Sequence, residues 1–254
     1  MSANRQSIAA AWHGEEPYSA DERLRLQRAC NFFADHANRL ALGRRYRLLD
    51  IGCGVGPLRD YLPADRFEIV GLEISAQAVE LARRRYDDCH AADVEGDWPF
   101  PPNRFDGAHA GAVLEHVKDW HAPLNGVNRV LADGGLLVVS VPNLSYWKEI
   151  RRLIRGRQPH WLKSMNHVHG YTRDFLCQLI ELHGFAVRRV EADRVHLPLL
   201  PDWGWVKRRL ARFGSVLVVA AELIRRTRVE HDSLAGQFPN HKPLPLRSIE
   251  VPLS

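Results

Sequence analysis

The chain has 254 residues, a formal net charge of +5, 45% hydrophobic residues and 26% charged residues, enough apolar material for one α/β domain with additions. No apolar run reaches the roughly 18 residues of a membrane-spanning helix, and residues 1–11 lack the continuous apolar stretch of a secretory signal. Cys30, Cys53, Cys89 and Cys177 have no paired spacing, which speaks against a disulfide or zinc framework and for a cytosolic setting with reduced thiols.

In chain order, residues 1–18 read as a loosely held arm. Ser19 and Glu22 then have capping-box spacing, and Leu26, Ala29, Phe33, Ala37 and Leu40 recur at helical intervals before Gly43. This N-terminal arm and helix occupy 1–44, and the main domain is expected over 45–225. Its first strand, 48–51, runs into a glycine-rich turn. A second strand over 67–72 ends at Glu73 and precedes a helix over 75–86. Further strands fall near 89–92 and over 105–110, followed by a helix over 120–131. Asp133, Gly134 and Gly135 turn the chain into 136–141, the most strand-like run. Such alternation predicts a parallel sheet covered by helices. Beyond Pro142 the spacing predicts a helix over 146–155, an N-cap at Thr172, a helix ending near Gly184 and a strand over 185–190. Substrate-covering insertions are expected at about 143–172 and 196–214, a last strand at 215–221, and an irregular tail over 226–254.

The chemistry starts at Asp50-Ile51-Gly52-Cys53-Gly54-Val55-Gly56. Glycines let the backbone turn sharply and approach a ligand, and the following amides can face an anion. About twenty residues on, Glu73 closes the second strand, where a carboxylate can take both hydroxyls of a ribose. Together these features point to an adenosine-type cofactor. A nicotinamide dinucleotide remains open on them, but its fingerprint is G-x-G-x-x-G, and this chain has G-x-G-x-G followed by Pro57 and Leu58.

With Ala92-Asp93-Val94, the run Trp98-Pro99-Phe100, Val113-Leu114-Glu115-His116-Val117 and Asp133-Gly134-Gly135 in the same order, the sequence resembles the class I S-adenosylmethionine-dependent methyltransferases over roughly 45–190. The resemblance implies a Rossmann-like, doubly wound, mostly parallel seven-stranded sheet with helices on both faces. It implies S-adenosylmethionine as cofactor, held by Asp50, Gly52, Cys53, Gly54, Glu73, Ile74, Asp93, Val94 and Gly111. Val141-Pro142-Asn143, Tyr146-Trp147 and Tyr171-Thr172 look like the MetW-like branch, and Glu115-His116 is similar to the ubiquinone-type O-methyltransferases. Some of the latter bind a divalent metal through two acids, a His and an Asn. Glu115, His116 and Asn143 match three of these positions, but Ala112 stands at the other acid, so no metal ligands are assigned.

Methyl transfer to an alcohol or phenol requires a base, for which a histidine is suited. His116, His167 and His169 are the candidates. Each also has a plain structural reading, as a helix cap or a partner of a loop carbonyl. Glu115 is expected to orient a turn or His116. Cys53 reads as a small apolar filler beside the loop, and Trp98 and Phe100 either border adenine or pack beneath it. The expected acceptor is a small molecule, lipid or saccharide; N- or C-methylation and a non-catalytic cofactor-binding partner are the rivals. No nucleic-acid module accompanies the basic clusters. Trp203, Trp205, Lys207, Arg208, Arg209 and Arg212 offer a peripheral membrane contact, against the plainer reading of core packing with a solvated face.

Overall fold

A computed structural model describes residues 19–161, 166–192, 213–231 and 246–250. Helix α1, Ala20–Leu40, begins with the expected capping box: the Ser19 hydroxyl accepts from Glu22 N, and the Glu22 carboxylate accepts from Ser19 N at 2.7 Å. It ends on Ala41 in the left-handed conformation, two residues before Gly43.

Seven strands form the main sheet: β1 Tyr46–Ile51, β2 Phe67–Glu73, β3 Asp88–Ala91, β4 Phe105–Gly111, β5 Leu131–Pro142, β6 Phe185–Ala192 and β7 Val216–Leu223. Their order is β3-β2-β1-β4-β5-β7-β6. Neighbours from β3 to β5 pair in parallel, while β7 runs antiparallel between β5 and β6. The further described helices are α2 Ala76–Ala82, α3 His121–Val130, α4 Trp147–Ile154 and α5 Arg173–Leu182, with a short 3-10 turn at Pro57–Asp60.

Successive strand residues face opposite sides, and the two cores follow that alternation. Leu49, Ile51, Val70 and Leu72 pack with Leu124 and Val127 of α3 and Leu176 and Ile180 of α5. Leu48 and Ile69 pack with Ala29 and Phe33 of α1 and Val79 and Ala82 of α2. Helices therefore cover both faces, as the fold class requires. Strands buried on both faces read as continuous apolar runs, which is why 136–141 stands out in the sequence.

The tail departs from expectation. Thr227–His231 forms strand β8, paired antiparallel with Leu246–Glu250, β9. Two asparagines three residues apart on α3 hold its start. Asn125 Nδ2 donates to the Val229 carbonyl at 2.8 Å, and Val229 N donates to Asn125 Oδ1 at 2.9 Å. Asn128 Nδ2 donates to the carbonyls of His183 and Arg225. These amides act as a partner edge for a segment whose own composition gives little strand signal. The arm at 1–18 and the tryptophan-containing, basic stretch with Trp203, Trp205, Lys207, Arg208, Arg209 and Arg212 lie outside the described residues.

Candidate active site

The carboxyl ends of β1, β2, β4 and β5 meet at one edge, where parallel α/β sheets place their ligands. After Ile51 the chain turns through Gly52, Gly54 and Gly56 with φ of 64°, 52° and 79°. All three lie in the left-handed region that L side chains resist, so the G-x-G-x-G spacing is a backbone requirement. Gly52 has a second constraint: a Cβ there would lie 2.7 Å from Val113 Cγ2.

Glu73 ties this turn to β2. Its Oε2 accepts from Gly54 N at 3.0 Å and its Oε1 from Ser75 N at 2.9 Å. An ionised carboxylate has about four acceptor sites, so lone pairs remain for a diol. Ala92 N donates to the Glu73 carbonyl at 3.0 Å, which sets Asp93 and Val94 beside that acid. Asp93 Oδ1 accepts from Glu95 N and the Val94 carbonyl from Trp98 Nε1. Trp98 and Phe100 are buried in the core, the packing reading of those two. Ile74 sits between Glu73 and the α2 N-cap Ser75.

Asp50 serves the loop from beneath. It is 2% exposed, with Oδ1 2.7 Å from His109 Nδ1 and Oδ2 accepting from Tyr86 OH at 2.6 Å. Gly111 leaves room for His109: a Cβ there would stand 2.6 Å from its Cε1. Cys53 Sγ lies 3.6 Å from Cys89 Sγ. That hydrogen bond, burial and the Asp50 carboxylate all push the Cys53 thiol up, so it remains protonated and fills space.

A cavity at this edge is lined by Asp50, Gly52, Cys53, Gly54 and Gly111 from the expected set. It is also lined by Glu22, Arg25 and Leu26 of α1, with His109, Ala112 and Ser140. Arg25 is the functional candidate that sequence reasoning missed, because nothing local to 20–40 marks which polar residue returns to the sheet edge. Ala112 has φ of 55°, an uncommon backbone for a residue with a Cβ, and its N–H donates to the Ser140 carbonyl at 2.9 Å.

Beyond Ala112 the chain meets the loop before α5. The Glu115 carbonyl accepts from Val168 N at 2.8 Å, and Tyr171 OH donates to the Leu114 carbonyl at 2.8 Å. This stitching brings His116 and His167 together, their ring centroids 4.6 Å apart and edge to face. Burial lowers both imidazoles from their ordinary range, which favours neutral rings with available lone pairs. His169 is kept apart. Its Nε2 lies 3.1 Å from the Lys118 carbonyl and its ring packs on Trp120. Burial pushes the Glu115 carboxyl up to about 7. Asn143 faces elsewhere, donating to the Gly214 carbonyl at 2.7 Å and accepting from Ser145 N.

A family profile described as "Methyltransferase domain" matches residues 20–190. The chain belongs to this methyltransferase family. It is 31% identical over 145 residues to a ubiquinone biosynthesis O-methyltransferase of Rhodopseudomonas palustris strain TIE-1, covering 55% of this chain and 57% of that protein. It thus spans a little over half of that relative's length. A homologue of the same name from strain BisB18 is 30% identical, covering 69% of this chain and 71% of the relative. In structure, the chain is similar to a Burkholderia thailandensis 1,6-didemethyltoxoflavin N1-methyltransferase with bound S-adenosylhomocysteine, with a TM-score of 0.58, 17% identity and 87% coverage of both chains. At that identity the likeness speaks for the fold. The fold is the Rossmann-like one of class I, S-adenosylmethionine-dependent methyltransferases. No helix among the described residues is long and apolar enough to cross a membrane.

Proposed function

We propose that this chain transfers a methyl group from S-adenosylmethionine to a hydroxyl of a lipid-soluble small-molecule acceptor, working at a membrane surface on the cytosolic side. Glu73, presented by two backbone amides beside the three-glycine turn, carries the cofactor half of the reading. Its remaining lone pairs suit the ribose hydroxyls, Asp93 and Val94 border the base, and the Arg25 guanidinium supplies a counter-charge for the amino-acid carboxylate. When bound, the cofactor supplies a methyl already activated on a sulfonium. The chain's residues therefore have to orient the acceptor oxygen and exclude water, a positional contribution that reaches roughly 7–11 kcal/mol in favourable cases.

The acceptor side of the reading rests on 143–172. Trp147 and Trp161 have buried indole N–H groups without a partner, and Trp161 stacks on His167. An indole nitrogen only donates, so these two groups suit oxygen acceptors on a ring-like substrate. His116 and His167 offer neutral nitrogens to a hydroxyl proton. On α4, Ile150, Leu153 and Ile154 form an i, i+3, i+4 stripe at 36%, 50% and 82% exposure. Lys148, Arg151 and Arg152 lie on the same helix, with Arg155 and Arg157 just beyond it. A short basic amphipathic helix of this kind suits an anionic lipid surface. The sequence relatives named for ubiquinone biosynthesis point to an acceptor of the same solubility class.

The test is to incubate purified protein with methyl-labelled cofactor and separate lipid and aqueous fractions of a cell extract. Label is expected in an organic-soluble product that is stable as a methyl ether. Label confined to a sugar, a peptide or an N-methylated product would replace the acceptor assignment, and no transfer in any fraction would refute the reading.

A further inference from the structure

We infer that His109, oriented by Asp50, recognises the α-ammonium of the cofactor's amino-acid end, with its Nε2 accepting from that group. The inference rests on the cofactor half of the proposed function and deepens it. His109 lies on β4, two residues before Gly111, and both line the cavity beside the glycine-rich turn. It is 5% exposed, and Asp50 is 2% exposed. Asp50 Oδ1 stands 2.7 Å from His109 Nδ1, while Asp50 Oδ2 accepts from Tyr86 OH at 2.6 Å. Tyr86 OH in turn accepts from Leu58 N at 3.1 Å. A carboxylate only accepts, so the ring proton sits on Nδ1 and the lone pair of the neutral imidazole on Nε2. Phe33 holds the ring from the side, edge to face, with centroids 6.3 Å apart.

The far side of this ring is open. Among the described residues none hydrogen-bonds Nε2. A Cβ at position 111 would stand 2.9 Å from Nε2 and 2.6 Å from Cε1, so glycine there keeps the nitrogen uncovered. A lone pair backed by a carboxylate, in a partly enclosed cavity, suits a cationic donor.

The rest of the wall selects which cation. Arg25 lines the same cavity, and its Nε is buried without a partner. Glu22 is already engaged: its Oε2 accepts from Ser19 N at 2.7 Å, and its Oε1 lies 3.8 Å from Arg25. The cofactor's amino-acid end carries a carboxylate and an ammonium on one carbon. A guanidinium and an imidazole backed by an anion match those two charges in one cavity. Asp50 acts through His109 and is a positioning residue. In Asp50→Asn the amide oxygen can keep the Tyr86 hydroxyl, which turns the NH₂ toward Nδ1 and moves the ring proton to Nε2. There it would meet an ammonium that also only donates.

The test titrates the full chain calorimetrically with three ligands: S-adenosylhomocysteine, its decarboxylated analogue, which keeps the amine, and its deaminated analogue, which keeps the carboxylate. Wild type should bind the deaminated analogue at least about tenfold more weakly than S-adenosylhomocysteine. His109→Asn keeps a donor for Asp50 and has no Nε2. It should weaken the two amine-bearing ligands by about tenfold or more and the deaminated one by less than about threefold. Asp50→Asn should show the same selective loss, whereas a merely structural role would weaken all three ligands alike. A wild type indifferent to the amine overturns the inference whether or not either variant folds. So does an unchanged pattern in either folded variant, an equal loss for all three ligands, or a loss confined to the ligands that carry a carboxylate. A wild-type chain that binds none of the three refutes the cofactor site itself; binding with the wrong selectivity refutes His109 alone.

Discussion

Replacing Glu73 with Ala removes one carboxylate that does two jobs. It accepts from Gly54 N at 3.0 Å and Ser75 N at 2.9 Å, and in the proposed reading its remaining lone pairs take the ribose hydroxyls. A charge-assisted hydrogen bond contributes roughly 1.5–3 kcal/mol net. Loss of that contribution raises the dissociation constant for S-adenosylhomocysteine by about 10- to 150-fold, since about 1.4 kcal/mol corresponds to tenfold. Gly54 lines the cavity, where water can meet its amide, whereas the Ser75 bond is buried, so the variant should also melt at a lower temperature. Calorimetric titration with S-adenosylhomocysteine reads the affinity, and a thermal melt of the free protein reads the fold. Glu73→Asp, one methylene shorter, should keep the charge and recover only part of the affinity. A Glu73→Ala protein that binds within threefold of wild type would refute the placement of the ribose.

Three further outcomes are expected. Arg25→Leu should weaken S-adenosylhomocysteine roughly tenfold but leave 5′-methylthioadenosine, which lacks the amino-acid end, unaffected; equal losses for both ligands in paired titrations would remove Arg25 from that role. Ile154→Glu should reduce sedimentation with anionic vesicles without changing methyl transfer in a detergent solution of acceptor, and unchanged vesicle binding would exclude α4 as the contact. Urea unfolding across pH tests the chain Trp120 Nε1–His121 Nε2, His121 Nδ1–His183 Nε2, His183 Nδ1–Leu179 carbonyl. An indole only donates and a carbonyl only accepts, so each proton is assigned and both rings are neutral. Burial lowers His183 from 6.5 to about 4, with His121 adding to the shift and the Leu179 carbonyl and Asp119 opposing it. The unfolded chain therefore takes up the proton first. The stability from this group is full above pH 6.5 and falls by on the order of 3 kcal/mol as pH drops toward 4. His183→Gln should show a flatter profile over that window, and a profile that keeps the wild-type slope would count against the neutral pair.

What was legible in the sequence is what depends on near neighbours. The turn after Ile51 announces itself because three alternate positions must adopt a backbone only glycine takes easily, and Glu73 because it ends the next apolar run. The strand at 216–223 is visible as an apolar run, but its insertion antiparallel between β5 and β6 is not, since register is settled by distant partners. Arg25 is hidden for the same reason: it lies on an ordinary amphipathic helix, and only the packing of Phe33 and Ala29 against the sheet decides where it ends up. Asp50 lines the cavity, and its oxygens also engage His109 and Tyr86, residues 59 and 36 positions away that no local pattern ties to it. The β8 strand was obscured because its edge is completed by the side-chain amides of Asn125 and Asn128, a substitute no periodicity reveals.

One peptide oxygen has an architectural consequence. The carbonyl of Glu115 takes both Val168 N at 2.8 Å and His169 N at 3.4 Å, so the loop before α5 is pinned to the chain just beyond β4. Any redesign of the neighbouring surface should spare that double anchor. A proline at 168 would remove one of the two N–H donors and loosen the loop, even though the side chain it replaces is exposed.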